Sequence, residues 1–516
     1  MSSTDYDVVI VGYGPVGAMG ALLLADAGLR VAVVERETEV VDIPRAVNID
    51  GEIVRAFQRL GHGEAIDALT QPPRVRDEVA FTDSKREPYF TATFPRLGHN
   101  GFRDMAFFDQ PELEAKIREL ILDQGKVDLR LGHEVTAIDA NDDRARVETR
   151  EVASGATDAL EAAYLIGCDG ASSFVREAMG IEWRSLGYDQ DWLVIDIVVE
   201  DPDELPILTM QVCDPERLTT YVCVKDPNRR WEFQLRPGET REEMLRPERI
   251  RALLDAWLPA DRYRLRRKAV YQFHAATADR WREGRVFLAG DAAHQTPPFL
   301  GQGLNAGFRD VVNLAWKLPW VLDGTCGDAL LDTYAAERDG HARDLVDWAV
   351  AIGKLMENFA AGEAGEPPPH EIDPSSGYGQ GRSAPPLHGG VLTADQVGEG
   401  STGYLLRQPT VRAADGETCR LDTLLGRGFA VVGRDEAALA MSPASRRFLD
   451  RIGARCLSLE GVDPVENELD RLFESSPCAI VRPDRYVFGV VDDRWTLDRL
   501  VASLEQKLAI RAPSLG

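Results

Sequence analysis

The first 35 residues carry a strand, a glycine turn, a helix and a second strand, and few folds accommodate that succession. Residues 7–11 (DVVIV) form a short apolar run of the kind a buried parallel strand shows. GYGPVG at 12–17 interrupts it, residues 18–27 predict a helix, and residues 31–35 (VAVVE) predict the next strand. This is a βαβ unit with a G-x-G-x-x-G turn. Gly12 permits the tight turn, Gly14 lets the backbone approach a pyrophosphate, and Gly17 lets helix and strand pack closely. The helix start offers free N–H groups and a positive dipole end to phosphates. Glu35 follows Gly17 by 18 residues and is placed to accept hydrogen bonds from ribose hydroxyls. The motif points to a dinucleotide and leaves open which one.

Two later motifs bear on that choice. CDGASSFVR at 168–176 directly follows a predicted buried strand at 164–168. In VFLAGDAAHQTPPFLGQGLNAG at 286–307, a strand delivers Gly290 and Asp291 to its C-terminal end, where α/β sheets bind ligands. Asp291 suits a polyol hydroxyl. Pro297 and Pro298 stiffen the loop, and Gly301, Gln302, Gly303, Leu304 and Asn305 open a helix. Free N–H groups there suit the edge of a flavin on which negative charge collects.

Elsewhere, alternating strands are predicted between 135 and 168. Period-2 alternation over 192–199, 207–212, 220–224, 231–235 and 269–273 predicts a mostly antiparallel sheet with one covered face. Helices are predicted at 302–320 and 327–359. A Gly- and Pro-rich stretch over 361–390 reads as a linker or surface-wrapping segment, followed by a smaller βα-rich unit at 400–508.

The formal net charge of −26 over 516 residues argues against nucleic acid or an anionic membrane as the main partner. Seven scattered cysteines with no C-x-x-C pair argue against a disulfide framework or a metal site. The N-terminus shows no secretory pattern and no stretch is long and apolar enough to span a membrane, so a cytoplasmic protein is expected. Anionic ligands would need local arginines. The dense basic spots are Arg262, Arg264, Arg266, Arg267 and Lys268, and the pair Arg229–Arg230.

GYGPVG, CDGASSFVR and GDAAHQTPP (290–298) stand in the order seen in the FAD-dependent aromatic hydroxylases, and the sequence resembles that family across essentially its whole length. IPRAVNID, RRWEFQLRPGE (229–239) and HQTPPFLGQGLNAGFRD (294–310) are most similar to the 3-(3-hydroxyphenyl)propionate hydroxylase branch. LLGRGFAVVG (424–433) and VRPDRYVFG (481–489) resemble the thioredoxin-like appendage of phenol hydroxylase relatives; without C-x-x-C it is expected to serve packing or dimerisation. The resemblance implies an α/β fold with three parts. A discontinuous Rossmann-like FAD-binding domain spans 1–75, 106–183 and 275–360. A β-sheet substrate domain spans 76–105 and 184–274. A linker at 361–399 leads to a thioredoxin-like domain at 400–516.

The same resemblance implies FAD as cofactor, NADH or NADPH as co-substrate, a small aromatic substrate with O₂, and a homodimer. The implied reaction is hydroxylation of a phenolic ring through a flavin C4a-hydroperoxide, on a 3-hydroxyphenylpropionate-like compound. A polycyclic polyketide hydroxylase or epoxidase and a non-catalytic FAD-binding protein are the rivals. Gly12, Gly14, Gly17 and Glu35 would hold the ADP half, with Arg36 beside the adenosine. Arg45 and Gln110 would touch FAD, Asp169 and Gly170 would serve FAD and NAD(P)H, and Asp291 would take the ribityl chain. Gly290, Pro298 and Gly301 to Asn305 would border the ring system. Asp50 is the first candidate for activating the phenol, although it also precedes a helix and suits an N-cap. Tyr271 is the second, sharing a sheet face with Phe273. His274 and His294 are weaker candidates. Asn48 stands where the closest branch is expected to carry a histidine.

Overall fold

The computed structural model describes residues 4–72, 74–371, 384–397 and 400–510. Its architecture rests on two eight-stranded sheets. In the first, Tyr6–Val11 pairs in parallel with Val31–Glu35 on one side and Thr157–Gly167 on the other. Val127–Leu131 and Val286–Leu288 extend it, again in parallel. Val8, Val9, Ile10 and Val33 are wholly buried, as a parallel strand covered on both faces requires. The helix Pro15–Asp26 packs on this sheet against the helix Gly303–Leu322. The predicted order of strand, turn and helix is therefore the observed one.

The second sheet runs His294–Gln295, Tyr263–Ala278, Trp183–Val199, Asn228–Gln234, Arg217–Val222, Thr209–Asp214, Glu78–Thr82, Pro88–Thr93. Its pairs are antiparallel except Thr209–Asp214 with Glu78–Thr82. The expected boundary at 274/275 falls inside a strand, because Tyr263–Ala278 continues to pair with Trp183–Val199 as far as Ala278. One face of this sheet is apolar. Leu193, Ile195, Ile197, Tyr221, Trp231 and Phe233 pack against Met244, Ile250 and Leu254 of the short helices Arg241–Met244 and Pro247–Leu254. The opposite face looks toward the first sheet.

The C-terminal unit contains a four-stranded sheet ordered Arg455–Ser458, Ala430–Gly433, Cys478–Val481, Val487–Val490, in which the first pair is parallel and the others antiparallel. Helices Pro443–Arg451 and Leu497–Leu508 pack together on it. The seven cysteines are free thiols. The unit docks on the first domain through Phe429, which meets Trp316 and Trp320 edge-on or tilted. A buried charge cluster crosses the same junction: Glu337 accepts from Lys317 at 2.8 Å and Arg482 at 2.7 Å, and Arg482 also pairs with Asp484 at 2.7 Å. Against the cost of burial, Arg482 and Lys317 hold the Glu337 carboxyl down at about 2.

The expected linker is more than a connector. Residues 361–363 still belong to the helix Ala329–Glu363, and 372–383 and 398–399 lie outside the described residues. Within 384–397, Leu387, Val391 and Leu392 are buried, and the Val391 N–H donates to Glu337 at 2.8 Å. Among the described residues no helix is long and apolar enough to cross a membrane, and no group of His, Cys, Asp or Glu could hold a metal ion.

Candidate active site

One cavity of about 850 Å³ lies between the two sheets and is lined from both. Its first wall is the dinucleotide fingerprint. Gly14, Pro15 and Val16 line it, with Cys168, Gly170 and Ala171 from the loop after Thr157–Gly167. The glycines divide the work. A Cβ on Gly12, at φ +100°, would stand 2.5 Å from the Cys168 carbonyl oxygen, so this position serves the crossing of two loops. A Cβ on Gly14 would meet nothing within 4 Å, so its surface is open to a ligand. The helix Pro15–Asp26 has no side-chain cap, and its first N–H groups remain available for an anion. Glu35 accepts the Tyr13 N–H at 2.8 Å and the Glu37 N–H at 2.9 Å, fixing the turn while keeping lone pairs for hydroxyl donors. Arg36 is exposed and pairs with Glu37 at 3.2 Å.

The second wall is the 286–307 run. Ala289, Gly290, Asp291, Pro298 and residues 299–304 line the cavity. Asp310 anchors this loop by accepting the Gly290 N–H at 2.9 Å, His294 Nε2 at 2.8 Å and Arg338 Nε at 2.8 Å. His294 is thus a buried brace. The Asp291 carboxyl faces the cavity; desolvation raises it, and His294 and Arg45 pull it back. The helix Gly303–Leu322 begins without a side-chain cap. Gln110 lines the cavity too, and its Oε1 accepts the N–H groups of Arg45 at 3.1 Å and Ala46 at 2.6 Å, which orients Arg45. An open cradle at Gly14, two uncapped helix starts and a carboxylate at Asp291 fit a flavin dinucleotide.

Several expected cofactor residues also make structural contacts. Asp169 accepts from Ser173 Oγ at 2.5 Å and Val175 N–H at 2.9 Å, bracing Ser173, which caps the helix Phe174–Ala178, while its neighbour Gly170 lines the cavity. Asn305 is wholly buried and ties the Asp50 N–H to the Asn48 and Gly301 carbonyls. Gly17 packs onto Gly12, where a Cβ would stand 2.1 Å from its carbonyl oxygen.

The floor is the open face of the second sheet. Cross-strand partners share a face, so the register lays two rows across it. One is Ala269, Val194, Glu232, Thr220, Gln211 and Phe81. The other is Arg267, Asp196, Arg230 and Val222, and Thr209, two residues before Gln211, shares its face. Tyr271 lines the cavity beside them and accepts from Arg267, whose guanidinium also lies 4.8 Å from the ring centroid. Asp104 and Met105 close the rim. Burial raises the Asp104 carboxyl to about 7, and its Oδ1 has no hydrogen-bond partner.

Two proposed catalytic residues require correction. Asp50 does not line the cavity. It is wholly buried, accepts the Ile53 N–H at 3.2 Å as the cap of the helix Gly51–Arg59, and pairs with Arg309. Burial raises its carboxyl, Arg309 lowers it, and Glu52, which shares Arg309 at 2.6 Å, raises it again. His274 points away from the cavity and pairs with Asp189 on the outer surface. Strand alternation is the reason: Tyr271 and Phe273 face inward, so residue 274 cannot. The basic spots are also largely spent. Arg229 pairs with Asp226 at 2.9 Å, Arg266 with Asp109 at 2.8 Å, and Arg230 with Asp196 at 2.7 Å. Asp104, Glu232, Asp310 and Arg309 were missed from sequence.

The fold and this cavity define a two-domain flavoprotein oxygenase with an appended C-terminal unit. The chain belongs to the FAD-binding domain family of flavin-dependent aromatic-ring monooxygenases, whose family model matches residues 5–349. A second model, described as the HcaD C-terminal domain, matches residues 403–507. The chain is 32% identical, over 94% of each chain, to the 3-(3-hydroxy-phenyl)propionate/3-hydroxycinnamic acid hydroxylase of Burkholderia cenocepacia. It is 33% identical, over 98% of this chain and 95% of the other, to a probable NADH-specific resorcinol 4-hydroxylase of Rhodococcus jostii. Its fold is that of the aklavinone-11 hydroxylase solved with FAD and aklavinone, with a TM-score of 0.83 over 98% of this chain and 100% of the other at 24% identity.

Proposed function

We propose that the chain hydroxylates a phenolic ring, consuming one NAD(P)H and one O₂ and releasing water. The observation that carries this is the single cavity joining the dinucleotide cradle to a polar sheet floor. FAD held there would supply the activation of O₂ with two electrons from NAD(P)H. Gly12, Gly14, Gly17 and Glu35 would hold its ADP half, with Arg36 nearby. Arg45, Gln110, Gly170, Gly290 and Asp291 would hold its middle, and Pro298 and residues 301–304 would border the ring system.

The chain's own residues then have three tasks. The uncapped start of Gly303–Leu322 favours negative charge at the cavity edge. Tyr271, whose oxygen accepts from Arg267, keeps its own O–H to donate to the phenol oxygen, which orients the ring and stabilises negative charge on that oxygen, making the ring carbon a better nucleophile. Phe81, Phe273 and Phe299 give the cavity apolar walls that exclude water. The strand-helix-strand-strand-helix-strand-strand-helix succession of residues 430–508, in which Asp463–Glu466 pairs outside the four-stranded sheet, supports a thioredoxin-like unit with a packing role. The test is a panel of phenols, phenylpropionates and polycyclic quinones. NAD(P)H oxidation, O₂ uptake and ¹⁸O incorporation from ¹⁸O₂ are followed. A phenol that accelerates NAD(P)H oxidation and gains one labelled oxygen is the expected result; no such phenol would refute the proposal.

A further inference from the structure

The reaction proposed above leaves one task without a residue. A phenol gives up its hydroxyl proton as oxygen is added to the ring. Tyr271 keeps its own O–H to donate, so it does not take that proton. Asp50, the first candidate from sequence, is sealed into the scaffold with Arg309. The acceptor must line the cavity and keep a free lone pair.

Asp104 meets that description. It lines the cavity two residues before Ala106, which opens the strand paired with Asn48–Ile49. Asn48 lies against Gly301, where a Cβ would stand 2.9 Å from the Asn48 Cβ. Asp104 therefore enters the cavity from the strand pair that abuts the loop expected to border the ring system. Its carboxyl rests on Gly98, where a Cβ would stand 1.9 Å from Asp104 Oδ1. Packing on a bare Cα holds it there. Among the described residues the carboxyl makes no hydrogen bond or ion pair, and Oδ1 is buried. Burial raises it to about 7, and the Asp50 charge adds to the rise. The other unpaired acids on the wall have cations to restrain them. Glu232 has Arg230 at 3.8 Å, and His294 and Arg45 hold Asp291 down. The remaining charged groups around Asp104 are His99 on its own loop, Arg267 on the floor, and Arg103, which donates to the Gln71 carbonyl at 2.9 Å.

We propose that Asp104 is the base of this site, its Oδ1 accepting the proton of the substrate's ring hydroxyl. The ring O–H bond breaks and a carboxyl O–H bond forms, with no electron gained or lost in that step. When the oxygenated ring regains aromaticity, the oxygenated carbon loses its hydrogen and the ring oxygen takes a proton back from Asp104. This rests on the hydroxylase function proposed above, and a binding measurement keeps the two apart. FAD-loaded protein is titrated at pH 8 with resorcinol, 3-(3-hydroxyphenyl)propionate and their methyl ethers, following the flavin absorbance. Product formation from the phenol that binds is then followed between pH 5.5 and 9.5. In the wild type at least one phenol should bind about tenfold more tightly than its ether, which has no proton to give. Asp104→Asn keeps an acceptor, so it should hold phenol affinity within about threefold yet lose roughly 10²- to 10⁴-fold in product formation. Wild-type product formation should rise with pH through about 7, as Asp104 ionises. Asp104→Asn should lack that rise and recover as the pH nears the phenol's own pKa, which a merely structural role would not produce. Gly98→Ala, which pushes the carboxyl aside, should bring phenol and ether to equal affinity. Equal binding of phenol and ether in the wild type, binding of no phenol, or wild-type product formation in Asp104→Asn overturns the proposal. If Asp104→Asn loses FAD, the ether comparison in the wild type and in Gly98→Ala decides. A phenol preferred over its ether but never oxygenated would sink the hydroxylase function, and the base with it, while the Asp104 contact stands.

Discussion

Asp50 offers the sharpest separation of chemistry from scaffold. As a general base, it would be disabled equally by Asp50→Asn and Asp50→Ala, each costing roughly 10²- to 10⁴-fold in hydroxylation. The structure predicts a different pair of outcomes. Asn caps a helix about as well as Asp, and its Oδ1 can keep the Ile53 N–H. Its neutrality leaves Arg309 paired with Glu52 at 2.6 Å and removes the repulsion between two carboxylates sharing one guanidinium. Asp50→Asn should therefore cost only about 1–2 kcal/mol, the scale of one buried hydrogen bond weakened. Asp50→Ala loses the cap, about 1 kcal/mol. It also strands the buried Ile53 N–H and an Arg309 donor, about 1–3 kcal/mol more. The assay is a thermal melt of each holoprotein, with FAD content and labelled product per NAD(P)H measured well below the melting range. Expected are near-wild-type product yield for Asp50→Asn and a clearly lowered melting midpoint for Asp50→Ala. A hundredfold loss of product in Asp50→Asn, with melting and FAD content unchanged, would refute this and return Asp50 to the chemistry.

Three further outcomes follow from the geometry. Gly14→Val should fold and melt cooperatively yet purify without FAD, because its side chain projects into an open cradle. Gly12→Ala should instead compromise folding, because its Cβ meets the Cys168 carbonyl at 2.5 Å; circular dichroism and flavin absorbance separate the two. Tyr271→Phe should keep FAD and lose roughly 10- to 100-fold in product formation, as loss of one hydrogen bond to a charged oxygen, about 1.5–3 kcal/mol, does; O₂ uptake continuing without product would show the uncoupling. Glu337 links docking of the C-terminal unit to pH. Its carboxyl sits at about 2 instead of 4.5, so it contributes stability that is present above about pH 4.5 and lost as pH falls toward 2, about 3 kcal/mol in all. Glu337→Gln should lower the melting midpoint at pH 7, by stranding Lys317 and leaving Arg482 paired with Asp484, and flatten its dependence between pH 5 and 3.

What was legible in the sequence was whatever one segment decides for itself. The strand at 7–11, its glycine turn and the helix after it need only local pattern, and the period-2 runs placed the second sheet. What a polar residue does is decided by partners far along the chain, and there local pattern is silent. Asp50 before a helix reads the same whether it caps or catalyses; the difference is Arg309, 259 residues later. Asp169 in its loop likewise reads as a ligand, and local pattern does not show that it also holds Ser173 and the Val175 N–H. Glu232 is the instructive case, because its signal was present. In Arg-Arg-Trp-Glu-Phe-Gln, Trp231 and Phe233 alternate with Arg230 and Glu232. If the aromatic pair faces the core, the charged pair must face the other way. A charged pair on the inner side of a sheet survives only with partners or with a polar ligand. Arg230 has hydrogen-bonded partners, whereas Glu232 has only Arg230, at 3.8 Å. That asymmetry requires the pairing register across four strands, which alternation alone cannot supply.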